Sequence, residues 1–481
     1  MIIAAAAFAL AAMLWGFAML RRNDLPLTCV AFLVVSSVFS SDFFGLDAGG
    51  LTWTLDRFWL ILLIGQIGYN TLTGRMRWRH LQSIDLLLLS FAAWLVARTI
   101  AFPLGSQLPN QPPTLMHLLN GYLIPIFLYA SLRMSRITPR SMLPAVAMLL
   151  GFGIYLSITA ILESVGAWSL VFPQFIGDPT LGIHFGRARG PMLQSVRLGV
   201  CLNACLLAVW VFVVYVKPHE KWAWALAGSL TPLLMLAIFL TKTRSIWLGT
   251  IAIVLIAMWT MLRGRVRAVT LGSVIIGGAT AAAVLGPSLL AFKREYSAAE
   301  TLESTRMRGA FAYVSYKMFV DKPLIGYGFN QFQMSNPPYL DDRTTSIRVE
   351  SIRGYVHHNS YLSLLVDLGL IGGLLYAAVA AGFAKCGLRL YQNASAPPWA
   401  RATAIFAGGV AASHAIQMAF HEVSFSTIEN SLLAIALGWM TACQQDFSAA
   451  DSLGKGWLHW RSVEGSRNLV AGVARLRTPT G

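Results

Sequence analysis

The sequence predicts an all-α, polytopic integral membrane protein of about 13 transmembrane helices, with a long periplasmic loop carrying an interfacial helix. Three observations point there. Hydrophobic residues make up 56 % of the 481 positions and charged residues only 12 %, too apolar a balance for a soluble chain of this length. Apolar runs of roughly 18 or more residues recur, long enough to cross a hydrocarbon core of about 30 Å as helices. No alternating ten-residue pattern dominates, which argues against a transmembrane β-barrel.

Taken in order, the spans fall near residues 2–20, 27–44, 55–72, 84–101, 116–133, 142–163, 198–216, 223–240, 246–262, 269–290, 357–384, 402–420 and 428–443. The first has no basic stretch ahead of its apolar run and is followed by Arg21-Arg22, so it reads as a spanning helix and not as a cleaved signal. Basic clusters at Arg75/Arg77/Arg79, Arg133/Arg136/Arg140, Lys217/Lys221, Arg263/Arg265/Arg267 and Lys385/Arg389/Arg401 share one side with Arg21-Arg22, the cytoplasmic side by the positive-inside tendency. The N-terminus then faces out. The same side as the N-terminus holds loops 102–115, 164–197 and, longest, 291–356; a connector of that length usually carries function. Within it, Ser304 predicts a cap for a helix through Val314, with Phe311, Val314, Met318 and Phe319 on one interfacial face. Pro323, Gly326 and Gly328 predict the turn that ends it. The chain so divides into N-terminal helices (1–180), a core (181–385) that includes loop 291–356, C-terminal helices (386–445) and a basic cytoplasmic tail (446–481).

Composition excludes several functions. The net charge of +16 is accounted for largely by cytoplasmic anchoring, so nucleic acid is not the expected partner. The five cysteines lie in or beside apolar segments without a CxxC, and His414 and His421 have no third ligand, so neither disulfides nor a metal are expected. No phosphate-binding glycine loop, dinucleotide fingerprint or acidic metal-nucleotide motif is present. No cofactor is expected, and a substrate phosphate would be lipid-linked.

The remaining signal is charge on the exported face. Basic residues crowd into Arg187–Arg197, Lys242–Arg244 and Lys293–Arg353, the last running into His357-His358-Asn359. Arginine binds phosphate oxygens with a planar fork that lysine lacks, and a neutral imidazole can take a proton from a hydroxyl near working pH. Each has a blander reading: an arginine snorkelling at a span end, a histidine at the interface. Arg57 and Arg98 read as structurally paired, and His421-Glu422 foremost as a solvated loop, with a place lining the same exported cavity as the alternative.

Four segments, in order, resemble the bacterial O-antigen ligase and polysaccharide polymerase superfamily. Thr241-Lys242-Thr243-Arg244-Ser245 is similar to the family's Ser/Thr-x-Ser-Arg segment. Arg308 precedes Pro323-Leu324-Ile325-Gly326-Tyr327-Gly328, which resembles its Pro-Leu-x-Gly-x-Gly turn. His358-Asn359, followed by Asp367, Gly369 and Gly372, is similar to its His-Asn…Glu-x-Gly-x-x-Gly signature. Two departures stand out: Gly190-Pro191-Met192-Leu193-Gln194 replaces a Gly-x-x-x-Asn-Pro-Asn segment, and Asp367 stands where glutamate is common.

The resemblance implies a metal-independent, inverting glycosyltransferase of the bacterial inner membrane, its site facing the periplasm. Its donor would be an undecaprenyl-diphosphate-linked glycan, with Arg244 and Arg308 holding the diphosphate and His358 acting as base. Asn359 would hold the imidazole or cap the helix, and His357 would lie beside the substrate. Arg187, Arg189 and Arg306, with Tyr327, Asn330 and Phe332, would line a glycan groove. A polymerase, working with a chain-length regulator, is the first expectation. A ligase that moves the glycan to lipid A-core is the second, and a transporter or flippase, whose inverted repeats are not visible here, the third.

Overall fold

The computed structural model describes residues 24–453, apart from 49–50, 77–78, 107–110, 214–218, 263, 271, 275, 278–279 and 281–297. The expected first span, much of the tenth and the tail beyond 453 lie outside the described residues. The chain is helical almost throughout. Its principal helices are α1 (Leu25–Val38), α2 (Leu55–Leu72), α3 (Ser83–Ile100), α4 (Thr114–Arg133), α5 (Pro139–Ser164), α6 (Ser195–Val211), α7 (Lys221–Leu240), α8 (Arg244–Met261), α9 (Ala298–Asp321), α10 (Ser360–Gln392), α11 (Pro398–Phe420) and α12 (Thr427–Leu453).

Among the described residues six helices are long and apolar enough to cross a membrane: α3, α4, α5, α7, α10 and α11. Three shorter apolar helices, Leu25–Val38, Ser195–Val211 and Arg244–Thr260, accompany them. Local chemistry sets their ends. Asp24 caps α1 by accepting from Leu27 N, and Pro26 sits in its first turn, where a missing N–H costs nothing. That helix stops at Val38, short of the expected 44, because Ser40 and Asp42 form a turn of their own. The turn leads into one small antiparallel hairpin, Leu46–Ala48 with Leu51–Trp53, the one departure from the all-helical expectation among the described residues.

The helices pack around a common apolar core, with α12 along α4, α8 along α11, and α10 between α3 and α11. Charge buried in this packing is matched. Arg133, at the end of α4, lies 3.1 Å from Asp85 of α3, and Tyr129 donates to the same carboxylate at 2.8 Å. A buried ion pair is rarely a net source of stability, but losing one partner would strand the other.

Loop 291–356 differs from expectation in two ways. Helix α9 already runs from Ala298, so Ser304 lies inside it and not at its start. Its apolar stripe does not lie open as an interfacial face either. Ala310, Phe311, Val314 and Met318 are buried against Tyr327, Phe332, Leu340, Val349, Ile352 and Val366. The loop thus has a small core of its own, capping one end of the bundle.

That cap is locked to α10 through a break. Gly369 adopts φ 67 and ψ −169, a conformation open almost only to glycine. The turn 323–328 docks into the gap: Leu370 N and Ile371 N donate to the carbonyls of Pro323 and Leu324, and Tyr327 N and Gly328 N donate to those of Val366 and Asp367. Space is closed on both sides, since a Cβ on Gly369 would stand 2.3 Å from Leu324 O and one on Gly326 2.5 Å from Val366 O. Asp367 completes the lock by accepting from Asn330 N at 2.9 Å, while Arg98 donates to Gly326 O at 3.2 Å.

Candidate functional site

The site is built where the cap meets the ends of α8, α10 and α11. Asn359 is the N-cap of α10: its Oδ1 accepts from Tyr361 N and Leu362 N at 3.0 and 3.1 Å, and its amide donates to Ala419 O at 3.0 Å. Of the two roles expected for it, capping is the one the structure displays.

The two adjacent histidines part company. His358 is exposed, and its ring stacks on Phe311 of α9, centroids 5.1 Å apart and planes 16° from parallel. Its Nδ1 lies 3.0 Å from Val356 O. A carbonyl only accepts, so Nδ1 carries a proton, and in the neutral ring the lone pair then falls on Nε2, where a general base could use it. His357 instead points into the core of the cap, 3 % exposed, its ring centroid 3.7 Å from that of Phe332. Burial, helped by the neighbouring His358, pushes its imidazole down to about 3. It stays neutral and enclosed, which corrects the expectation that it lies beside the substrate.

Arg244 opens α8, half-buried, directly after a tight turn in which Lys242 takes a positive φ of 48. Thr241 and Thr243 hydroxyls tie that turn to the carbonyls of Ile238 and Thr241 at 2.7 and 2.9 Å. Arg308 projects from α9 one helical turn before Phe311 and lies over the ring of Phe420, 5.8 Å from its centroid. Partial desolvation and then the charge of Arg244 hold the Arg308 guanidinium below its ordinary value. Residues 64 positions apart in sequence are therefore electrostatic neighbours. Two neighbouring cations repel, and an anion bound between them would relieve that repulsion.

The other arginines divide. Arg187 is half-buried on a loop that touches the same turn, through Ala188 N to Leu240 O at 3.2 Å and Lys242 Nζ to Gly186 O at 3.5 Å. Arg306 is exposed on α9, near Arg308 in sequence. Arg189 turns inward: 1 % exposed, its guanidinium bonds the carbonyls of Leu181, Asp178 and, at 2.8 Å, Ile176. Both terminal nitrogens are committed to folding loop 176–190 and the side chain is buried, so the expectation that it lines a groove is corrected. Phe332, too, serves the cap's core, and Asn330 bonds Thr114 at 3.1 Å, whereas Tyr327 joins Tyr339.

The segment His421-Glu422, read from sequence foremost as a solvated loop, joins these elements. His421 Nε2 lies 2.9 Å from Ser245 Oγ, and Ser360 donates to His421 O and Glu422 Oε1, both at 3.0 Å. Burial raises the Glu422 carboxyl pKa, opposed by hydrogen bonds from Ser424 and from Ser363 and Ser360. Beneath these residues an apolar cavity of about 980 Å³ runs between α10, α11 and α12, with Tyr361, Val423 and Ser424 at one end and Leu388 and Tyr391 at the other. Among the described residues no group of three or more His, Cys, Asp or Glu could hold a metal ion.

Comparison with known proteins adds one match. Residues 229–377 fit the family model described as O-antigen ligase. No curated protein matches the chain. The matched segment contains Arg244, Arg308, the glycine turn, the break at Gly369 and His358-Asn359. This segment is thus an O-antigen ligase domain, which supports the O-antigen ligase and polysaccharide polymerase superfamily of membrane glycosyltransferases.

Proposed function

We propose that this protein transfers a glycan from an undecaprenyl-diphosphate carrier to a sugar hydroxyl at the periplasmic face of the inner membrane, polymerising repeat units. The observation that carries the reading is that Arg308, lying over Phe420, feels the charge of Arg244 close to where His358 stands exposed just ahead of α10. In the reaction the acceptor hydroxyl gives its proton to His358 Nε2 as its oxygen attacks the anomeric carbon. The anomeric carbon–oxygen bond breaks, and its electron pair leaves on the diphosphate oxygen, where the two guanidinium groups offset the growing charge. Attack from the face opposite the leaving group inverts the anomeric centre, and no metal ion enters the scheme. The apolar cavity, with its end at Tyr361, supplies a path for the carrier's isoprenoid chain.

The test is a strain deleted for this chain and complemented with His358→Ala. Polymer made by the wild type should vanish, with the variant still inserted and abundant; unchanged polymer would remove His358 as base. The second reading, a ligase, rests on the family description and differs only in acceptor. Deletion would then leave long polymer on the carrier and none on lipid A-core, whereas loss of a polymerase leaves single repeat units.

A further inference from the structure

The reading above places the diphosphate contacts and the base on different helices, and something must hold them in register. Arg244 follows a turn that includes Lys242 at a positive φ, a conformation a lysine holds only when its surroundings impose it. His358 precedes α10 by two residues, on a different part of the chain. The end of α11 reaches both. Gln417 donates to Ser245 O at 2.9 Å, and His421 Nε2 meets Ser245 Oγ at 2.9 Å. On the other side Ala419 O accepts from Asn359, His421 O accepts from Ser360, and Val423 N donates to Ser360 Oγ at 2.8 Å. Phe420, between them, lies under Arg308. One short stretch thereby contacts the neighbours of Arg244, of Arg308 and of His358 at once.

We infer that His421 is a positioning residue: its imidazole holds Ser245 in the first turn of the helix that Arg244 opens, and its backbone carbonyl holds Ser360 in the first turn of the helix that follows His358. The inference rests on the reading of Arg244 as a diphosphate contact. The two halves of the link separate cleanly. Replacing the side chain cuts the bond to Ser245 and leaves the carbonyl bonded to Ser360, so the defect should fall on the diphosphate side. A shift of about 1 Å in a positioned group can cost on the order of a hundredfold.

The experiment measures binding of undecaprenyl diphosphate to the full-length protein in nanodiscs, beside thermal stability. Arg244→Ala is the control for the underlying reading. With Arg244→Ala weakened, His421→Ala should bind about tenfold or more weakly at an unchanged melting temperature. His421→Gln, whose amide reaches a similar point, should recover most of the affinity. The double variant His421→Ala/Arg244→Ala should bind no worse than Arg244→Ala alone, because His421 acts through Arg244. His421→Ala binding within twofold of wild type, while Arg244→Ala is impaired, overturns the inference and leaves the reading standing. Weak binding that glutamine does not restore, with a matching loss of thermal stability, makes the segment a packing element only and also overturns it. Full binding by Arg244→Ala removes the diphosphate reading, and this inference falls with it.

Discussion

Two parts of helix α10 come from one signature, yet they do opposite things. At its start, His358 is exposed, stacked on one face and bonded through a backbone carbonyl so that one nitrogen stays open. Nine residues on, Asp367 is 3 % exposed, its Oδ2 accepts from Asn330 N, and Gly369 opens the gap that the glycine turn fills. The first part is open to solvent; the second is enclosed. A shared motif thus joins an exposed residue, which we propose meets the substrate, to buried residues that hold the turn, and only the packing tells them apart.

The comparison is sharpened most by His358→Ala. Removing a general base should lower glycan transfer by about 10²- to 10⁴-fold while leaving the melting temperature in detergent unchanged. Gly369→Val should do the reverse. The backbone strain alone costs about 1–3 kcal/mol, and a side chain 2.3 Å from Leu324 O adds to it, so the folded, inserted protein should be lost first. A Gly369→Val protein with normal stability would break the division between the two parts. Next come Arg244→Lys and Arg308→Lys, which keep charge but lose the forked donor pair. Each should cost roughly tenfold or more in transfer, whereas a snorkelling arginine would tolerate lysine.

The smallest effect belongs to His357→Leu, which should keep transfer within about twofold at neutral pH, since the ring sits among aromatics and titrates near 3. It should also change acid stability in a definite direction. Between pH 6.5 and about 3 the open chain binds a proton that the folded chain refuses, so wild-type stability falls as pH drops through that window. Melting curves of His357→Leu across the same range should fall less steeply. An equal slope in both would mean that another group governs acid unfolding.

Much of this was legible in the sequence because it is local. Apolar runs gave most of the described helices, Pro323, Gly326 and Gly328 gave the turn, and the family resemblance pointed to His358 and Asn359. What was not legible depended on distant partners. The stripe Phe311-Val314-Met318 has the pattern of an interfacial helix, and only the contact with Val349 and Ile352 makes it a core. Arg189 reads like Arg187 in sequence, but the carbonyls of the preceding turns claim it. His421 reads as a loop residue because Ser245, its partner, lies 176 residues away.

The break at Gly369 has a consequence for how the molecule is made. In an unbroken helix the N–H groups of Leu370 and Ile371 would bond the carbonyls of Val366 and Asp367; here all four find partners in residues 323–328 instead. Within a bilayer no water is at hand to satisfy those groups while they wait, and each left open costs several kcal/mol. Helix α10 can therefore reach its final shape only with that turn already beside it. The order of the chain supplies this: the ribosome delivers residues 323–328 before α10, so the turn is present when the helix arrives.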